Sequence, residues 1–393
     1  MAFGMAYGWP LLKCTGCVSR QVTATTRRPP AHCLRDSYSS HKRLSCRHGE
    51  SELTSTAPLG QDELTDRTVK NTRPAFLPPE AVAAVQDKQA LQMLQRIQRL
   101  DDDETICFYT GDPANIGDAS RPALVLVHGF DSSSLEFRYL IPALEKLLPP
   151  HLRLFAVDVL GWGFGARPAG ADYGPNGKRA HLQRFLRRVV DGESATRAPV
   201  FMAGASLGGA VVADYFLRTP PTEQARIQSV IFIDAQLFVD GKAFRWLVTP
   251  LDYLGLAILR SKALRRWANR LAFYRPELLA TEDAMLIGRL HCLTSGWMEA
   301  SRSFLRANGY TLSADLPKLA QLRLPVLAIW GAQDRIVPVD TLERLRSLYC
   351  EQGCESLLHV VLIPECGHLP HLERPEAVAV AIDGYLRRSL DML

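Results

Sequence analysis

The chain has 393 residues, of which 47% are hydrophobic and 22% charged; that is enough to bury one large α/β core, which takes roughly 200 to 300 residues, and a single catalytic domain with extensions is the simplest count. The formal charge of +5 does not indicate a nucleic-acid partner: residues 1–48 hold eight Lys/Arg against one acid, Asp36, a net of 8 − 1 = +7, so the remainder carries 5 − 7 = −2. No stretch reaches the ~18 consecutive apolar residues of a membrane span, which leaves a soluble or at most peripheral protein.

The leading segment mixes Ser, Thr, Arg and small residues (VSRQVTATTRRPP, SYSSHKRLSCRHG), is almost free of acids and lacks a secretory apolar run. It reads as an organelle transit peptide within residues 1–75, and its many hydroxyl residues favour a chloroplast over a mitochondrion. Four of the nine cysteines (Cys14, Cys17, Cys33 and Cys46) fall inside it. The others, Cys107, Cys292, Cys350, Cys354 and Cys366, are scattered and suggest no disulfide framework, which suits a reduced compartment.

Residues 76–120 open the ordered part. Val82, Val85, Leu91, Leu94, Ile97 and Leu100 recur at near-helical spacing and predict an amphipathic helix over 80–100, ended by the acid run Asp101–Glu104 and followed by a strand in ETICFYTG. From residue 121 short β-branched runs alternate with helical patterns: ALVLVHG, LEFRYLIPALEKLL, RLFAVDVLG, HLQRFLRRVV, PVFMAG, LGGAVVADYFLR, SVIFIDA, PVLAIWG, VDTLERLRSLYC and HVVLIPE, then a closing helix. Continuous apolar strands separated by helices predict a mostly parallel sheet covered on both faces. The core spans 121–237 and 313–393, and the helical block 238–312 interrupts it as a cap over the sheet's carboxyl edge.

Chemistry gathers at the ends of the predicted strands. PVFMAG runs into Gly204-Ala205-Ser206-Leu207-Gly208-Gly209 and on into a helix, the strand, tight turn and helix of a nucleophile elbow with Ser206 at its tip. Side chains at 204 or 208 would collide across so sharp a turn. ALVLVHGF ends at His128-Gly129-Phe130-Asp131, where the Phe130 N–H is the first oxyanion donor expected and the Leu207 N–H the second. His128 reads as a brace for the loop. Asp334, in AIWGAQDRIVP, follows a core strand and is the expected acid, with Asp234 in VIFIDAQ as rival. His368, in Pro364-Glu365-Cys366-Gly367-His368, comes last in the chain and is the expected base; His371 reads as structural. The order Ser, Asp, His excludes chymotrypsin-like and subtilisin-like arrangements. Cys366, His368 and His371 lack a second ligand cluster, so no metal is expected, and Gly161-Trp162-Gly163-Phe164-Gly165 lacks the spacing of a dinucleotide loop, so no cofactor is either.

These motifs resemble the α/β-hydrolase superfamily across roughly 121–390, and VHGFDSSSLEFR, VDVLGWGFG, GRLHCL and IPECGHLPHLERPEAV further resemble plastid-directed α/β hydrolases of plants and algae. The resemblance implies an α/β-hydrolase fold and a Ser-His-Asp hydrolase. It also admits thioesterases, carbon–carbon bond hydrolases and hormone receptors that bind a small hydrophobic ligand with little turnover. Epoxide hydrolases and haloalkane dehalogenases need aspartate where this chain has Ser206.

Substrate is suggested by the cap alone. Its many aromatic and aliphatic residues suit an apolar acyl, lipid or prenyl ester, and Asp131, Trp162, Trp246 and Tyr253 are candidate pocket residues. Residues 240–275 hold eight Lys/Arg against two Asp, a net of 8 − 2 = +6, on an amphipathic background that would suit contact with an anionic membrane face.

Overall fold

The computed structural model describes residues 76–240 and 251–390. The predicted leader over 1–75 and Trp246 lie outside them.

Eight strands form one sheet: β1 (Ile97–Leu100), β2 (Asp103–Thr110), β3 (Ala123–Val127), β4 (Arg153–Val157), β5 (Val200–Ala205), β6 (Ile227–Ile233), β7 (Val326–Gly331) and β8 (Leu358–Ile363). Their spatial order is β1-β2-β4-β3-β5-β6-β7-β8. β2 runs antiparallel to both its neighbours, and every pairing from β4 to β8 is parallel. This is the expected α/β-hydrolase fold.

The apolar runs of the inner strands β3, β5 and β7 are continuous because the sheet is buried on both sides there. In β3, Ala123, Val125 and Val127 belong to one core and Leu124 and Leu126 to the other, and all five are fully buried. Helix Leu207–Arg218 covers the first face, and helices Leu140–Leu147 and Pro375–Leu390 cover the second.

One element differs from the periodicity. The single helix predicted over 80–100 is two short helices, Pro79–Ala83 and Lys88–Leu94, followed by β1. The Asp87 side chain accepts the Gln89 and Ala90 N–H groups, a cap that restarts the helix in the middle of the apolar pattern. Beyond Leu94 the chain turns extended and pairs with β2, with Ile97 opposite Tyr109, while Asp101 and Asp102 form the hairpin tip.

Between β6 and β7 the chain leaves the sheet and builds helices Leu251–Leu259, Lys262–Ala272, Pro276–Leu279, Glu282–Arg289 and Trp297–Arg306. An isolated bridge between Asp240 and Thr311 ties the two ends of this excursion, backed by the Leu312 N–H to Val239 O bond at 2.9 Å.

Candidate active site

Loops from the carboxyl ends of five strands converge here, and their backbones are unusually strained. Among the described residues, four of the six non-glycine residues with positive φ are Asp131 (+50°), Ser206 (+50°), Asp234 (+43°) and Glu365 (+49°), following β3, β5, β6 and β8 respectively. Such conformations persist only where surrounding contacts over-determine them, and they concentrate at functional sites.

At the β5 turn, a Cβ on Gly204 would stand 2.4 Å from Gly208 O, and one on Gly208 would stand 2.2 Å from Val127 O. Neither position has room for a side chain, so the turn pushes half-buried Ser206 out at the first turn of its helix. A Cβ on Gly129 would meet Ser206 Cβ at 3.2 Å, so glycine there lets the β3 loop pass directly over the serine.

His368 joins two of the expected residues. Its Nε2 lies 2.9 Å from Ser206 Oγ, and its Nδ1 lies 2.7 Å from Asp334 Oδ2. Asp334 Oδ1 accepts the N–H groups of Ile336 (2.7 Å) and Val337 (2.9 Å). Burial pushes the Asp334 carboxyl up, but its hydrogen bonds to His368, Asp234 and Ile336 hold it below the ordinary aspartate value. Asp234 is fully buried, and both its burial and the charge of Asp334 push it well above that value; it accepts the Gly331 N–H at 3.0 Å. Burial and the neighbouring charge thus favour the proton on Asp234, the member that does not touch the histidine.

The Asp234, Asp334 and His368 polar atoms all lie within 4.8 Å of one another, as metal ligands would. The 2.7 Å separation of His368 Nδ1 and Asp334 Oδ2 is a hydrogen bond, whereas two ligands of a tetrahedral ion at ~2.0 Å stand about 3.3 Å apart. The set does not fit a metal.

Among the described residues neither the Phe130 nor the Leu207 N–H reaches a backbone acceptor. His128 is braced as expected of its position: Nδ1 bonds Gly129 O at 2.9 Å, Nε2 accepts the Val159 N–H at 2.9 Å, and burial drops its pKa to about 4. His371 is fully buried, with neither ring nitrogen hydrogen-bonded among the described residues. Its Nε2 lies 3.7 Å from Glu136 Oε1. Glu136 accepts the Gly129 N–H at 3.0 Å, and burial raises its carboxyl to about 7.

Of the expected pocket residues, the three that are described, Trp162, Tyr253 and Asp131, have partners of their own. Trp162 is buried beneath Phe130, ring centroids 5.1 Å apart. Tyr253 stands 42% exposed on the cap, its hydroxyl accepting from Arg302. Asp131 is buried, and its carboxylate is consumed by donors from the cap: Trp297 Nε1 at 2.7 Å, His291 Nε2 at 2.9 Å, and Arg265. Lys178 is a residue that sequence reasoning passed over. It lies buried with its ammonium 3.7 Å over the Trp162 ring, donating to Leu160 O. An open cavity of about 450 Å³ is lined by Asp87, Arg138, Phe273, Leu279 and Leu372, and includes none of Ser206, His368 and Asp334.

The cap also seats directly on the histidine loop. Ala272 O accepts the His368 N–H at 2.7 Å, and a Cβ on Gly367 would meet that same oxygen at 2.3 Å. Gly367 is thus required by the approach of the cap.

A parallel sheet with an elbow serine and a histidine from the last strand's loop defines a class, and comparison with known proteins agrees: residues 124–381 match the model of the alpha/beta hydrolase family. The chain belongs to that family and is a hydrolase of this fold. It is 29% identical over 321 residues to the alpha/beta hydrolase domain-containing protein VTE7 of Arabidopsis thaliana, covering 79% of this chain and 90% of that one. It is 21% identical over 273 residues to lipase 1 of Psychrobacter immobilis, covering 68% and 77% respectively. Among solved structures, a meta-cleavage product hydrolase of Pseudomonas fluorescens superposes with a TM-score of 0.55 at 19% identity, over 75% of this chain and 99% of that one.

Proposed function

We propose that the protein is a serine hydrolase that cleaves carboxylic esters with an apolar acyl or prenyl-like group. The observation that carries this is the continuous hydrogen-bonded chain Ser206–His368–Asp334, with the serine on a strained elbow.

His368 Nε2 accepts the Ser206 proton as the hydroxyl oxygen attacks the ester carbonyl, while Nδ1–H stays on the Asp334 carboxylate and steadies the imidazolium that forms. The negative charge moves to the carbonyl oxygen, which the Phe130 and Leu207 N–H groups receive. Leu207 opens a twelve-residue helix whose N-terminus favours that charge. Collapse expels the alcohol, protonated by His368. Water then attacks the acyl-enzyme with His368 again as base, releasing the acid and restoring Ser206. No step calls for a metal or cofactor.

The apolar preference is supported by the partly exposed Phe130, which stands against Trp162 and Phe304 beside its own N–H. Activity on p-nitrophenyl esters of increasing chain length tests the reading. Preference for a 2-hydroxy-6-oxo-dienoate substrate would redirect it to carbon–carbon cleavage, preference for acyl thioesters to a thioesterase, and tight binding without turnover to a receptor.

No described helix is long and apolar enough to cross a membrane. The cap's outer face supports peripheral contact with an anionic lipid surface. Leu254, Ile258 and Trp267 are each at least half exposed, Lys262, Arg266 and Arg270 are exposed with them, and residues 253–275 contain no acid. The acid-poor, Ser/Thr/Arg-rich leader supports delivery to a chloroplast. A fluorescent fusion of residues 1–75 that stays cytosolic would overturn that address.

A further inference from the structure

Asp131 directly follows the residue whose N–H the proposed mechanism uses, and everything that holds its side chain comes from the cap. It sits at φ +50°, a conformation an aspartate keeps only under constraint. Oδ1 accepts from Trp297 Nε1 at 2.7 Å and His291 Nε2 at 2.9 Å, Oδ2 accepts from Arg265 Nη2, and the Asp131 carbonyl accepts from Arg265 Nη1 at 3.1 Å. These three donors lie 134, 166 and 160 residues downstream for Arg265, Trp297 and His291 respectively. The carboxylate and the His291 and Trp297 side chains are buried, so the two Oδ1 bonds are made away from water.

The neighbouring residue also touches the cap. The Phe130 ring packs 6.2 Å from Phe304 of the cap helix Trp297–Arg306. On the core side Gly129 is fixed by Glu136, and Ser132 O accepts the Gly163 N–H at 2.9 Å. Between those core anchors, the Asp131 side chain is gripped by the cap, and the Phe130 ring is shared between Phe304 of the cap and Trp162 of the core, 5.1 Å away. Asp131, His291 and Cys292 also stand close enough together to suggest metal ligands. Arg265 Nη2 bonds both Asp131 Oδ2 and Cys292 Sγ, however, so a guanidinium already fills the space an ion would take.

We propose that Asp131 is the positioning residue of the oxyanion loop: by gathering Arg265, His291 and Trp297, it makes the placement of the Phe130 N–H conditional on a seated cap. The inference rests on the reading of the Phe130 N–H as an oxyanion donor. A buried residue with three hydrogen bonds on its carboxylate and one on its carbonyl is strongly coupled to its partners, so loosening it frees the loop instead of a single contact.

The test uses the full chain and the variants Asp131→Asn, Arg265→Met and both together. Amide exchange is followed over residues 128–133, and kcat and KM are measured with p-nitrophenyl butyrate. Asp131→Asn is expected to speed exchange in that segment by about tenfold, and to lower kcat by about ten- to a hundredfold with KM within about threefold. Arg265→Met should do the same, and the double variant should lose no more than about threefold beyond either single one. Unchanged exchange, a loss confined to KM, or additive losses would overturn the proposal. Should Asp131→Asn fail to fold, Arg265→Met, which leaves the bonds to His291 and Trp297, decides alone. A wild-type protein inactive on esters sinks the hydrolytic reading, whereas the exchange measurement still decides whether the cap orders the loop.

Discussion

Asp234 and Asp334 follow the adjacent parallel strands β6 and β7 with their carboxyls against one another, yet His368 bonds only Asp334. Burial and the adjacent Asp334 charge favour the proton on Asp234. Exchanging carboxylate for amide at the acid of such a triad costs roughly 10⁴ in turnover. Asp334→Asn is expected to lose about that much, and Asp234→Asn, which still accepts the Gly331 N–H, to stay within about tenfold of wild type. Ester turnover of the two variants, compared at equal fold by circular dichroism, checks this; the reverse order would reassign the acid.

Much of this site is legible in the sequence because its constraints are local. Gly204 is imposed by a collision within one turn, with Gly208 O, and strands such as β3, β5 and β7 announce themselves by apolar runs. The histidine and the acid follow from which strands they end. The Asp131 clasp is not legible that way. Its partners sit in separate cap helices and loops, and their residue types repeat no pattern; the only signal is an aspartate placed directly after Phe130 in the chain. The first strand was hidden for a different reason. Ile97 and Leu100 fit a helical period as well as a strand, and only the Asp87 cap and the hairpin at Asp101–Asp102 decide between them.

Glu136 makes stability depend on pH. Its folded value of about 7 lies above the ordinary 4.5, so the folded state holds the proton more tightly than the unfolded state. The contribution is full below about pH 4.5 and is lost as pH rises through about 7, with an upper bound on the order of 3 kcal/mol. Glu136→Gln, which still accepts the Gly129 N–H, should remove this slope. Urea unfolding at pH 5 and pH 8 is expected to show wild type losing more stability than the variant over that interval; parallel curves would mean Glu136 is ionised in the fold throughout.

The outer cap face predicts lipid binding that depends on both charge and apolar area. The protein should co-sediment with phosphatidylglycerol vesicles and much less with phosphatidylcholine vesicles, and added salt should release it. Replacing Leu254, Ile258 and Trp267 together by Ser should weaken binding by about tenfold or more while sparing hydrolysis of a short soluble ester. Equal binding to both vesicle types would leave this face as ordinary protein surface.

The most direct test of the account is labelling and turnover at Ser206. Wild type should react with a fluorophosphonate probe and hydrolyse p-nitrophenyl esters, and Ser206→Ala, which removes the attacking oxygen while leaving the fold intact, should lose labelling entirely and about 10⁶ in turnover. A folded wild type that is neither labelled nor active, or a Ser206→Ala protein that keeps both properties, would contradict it.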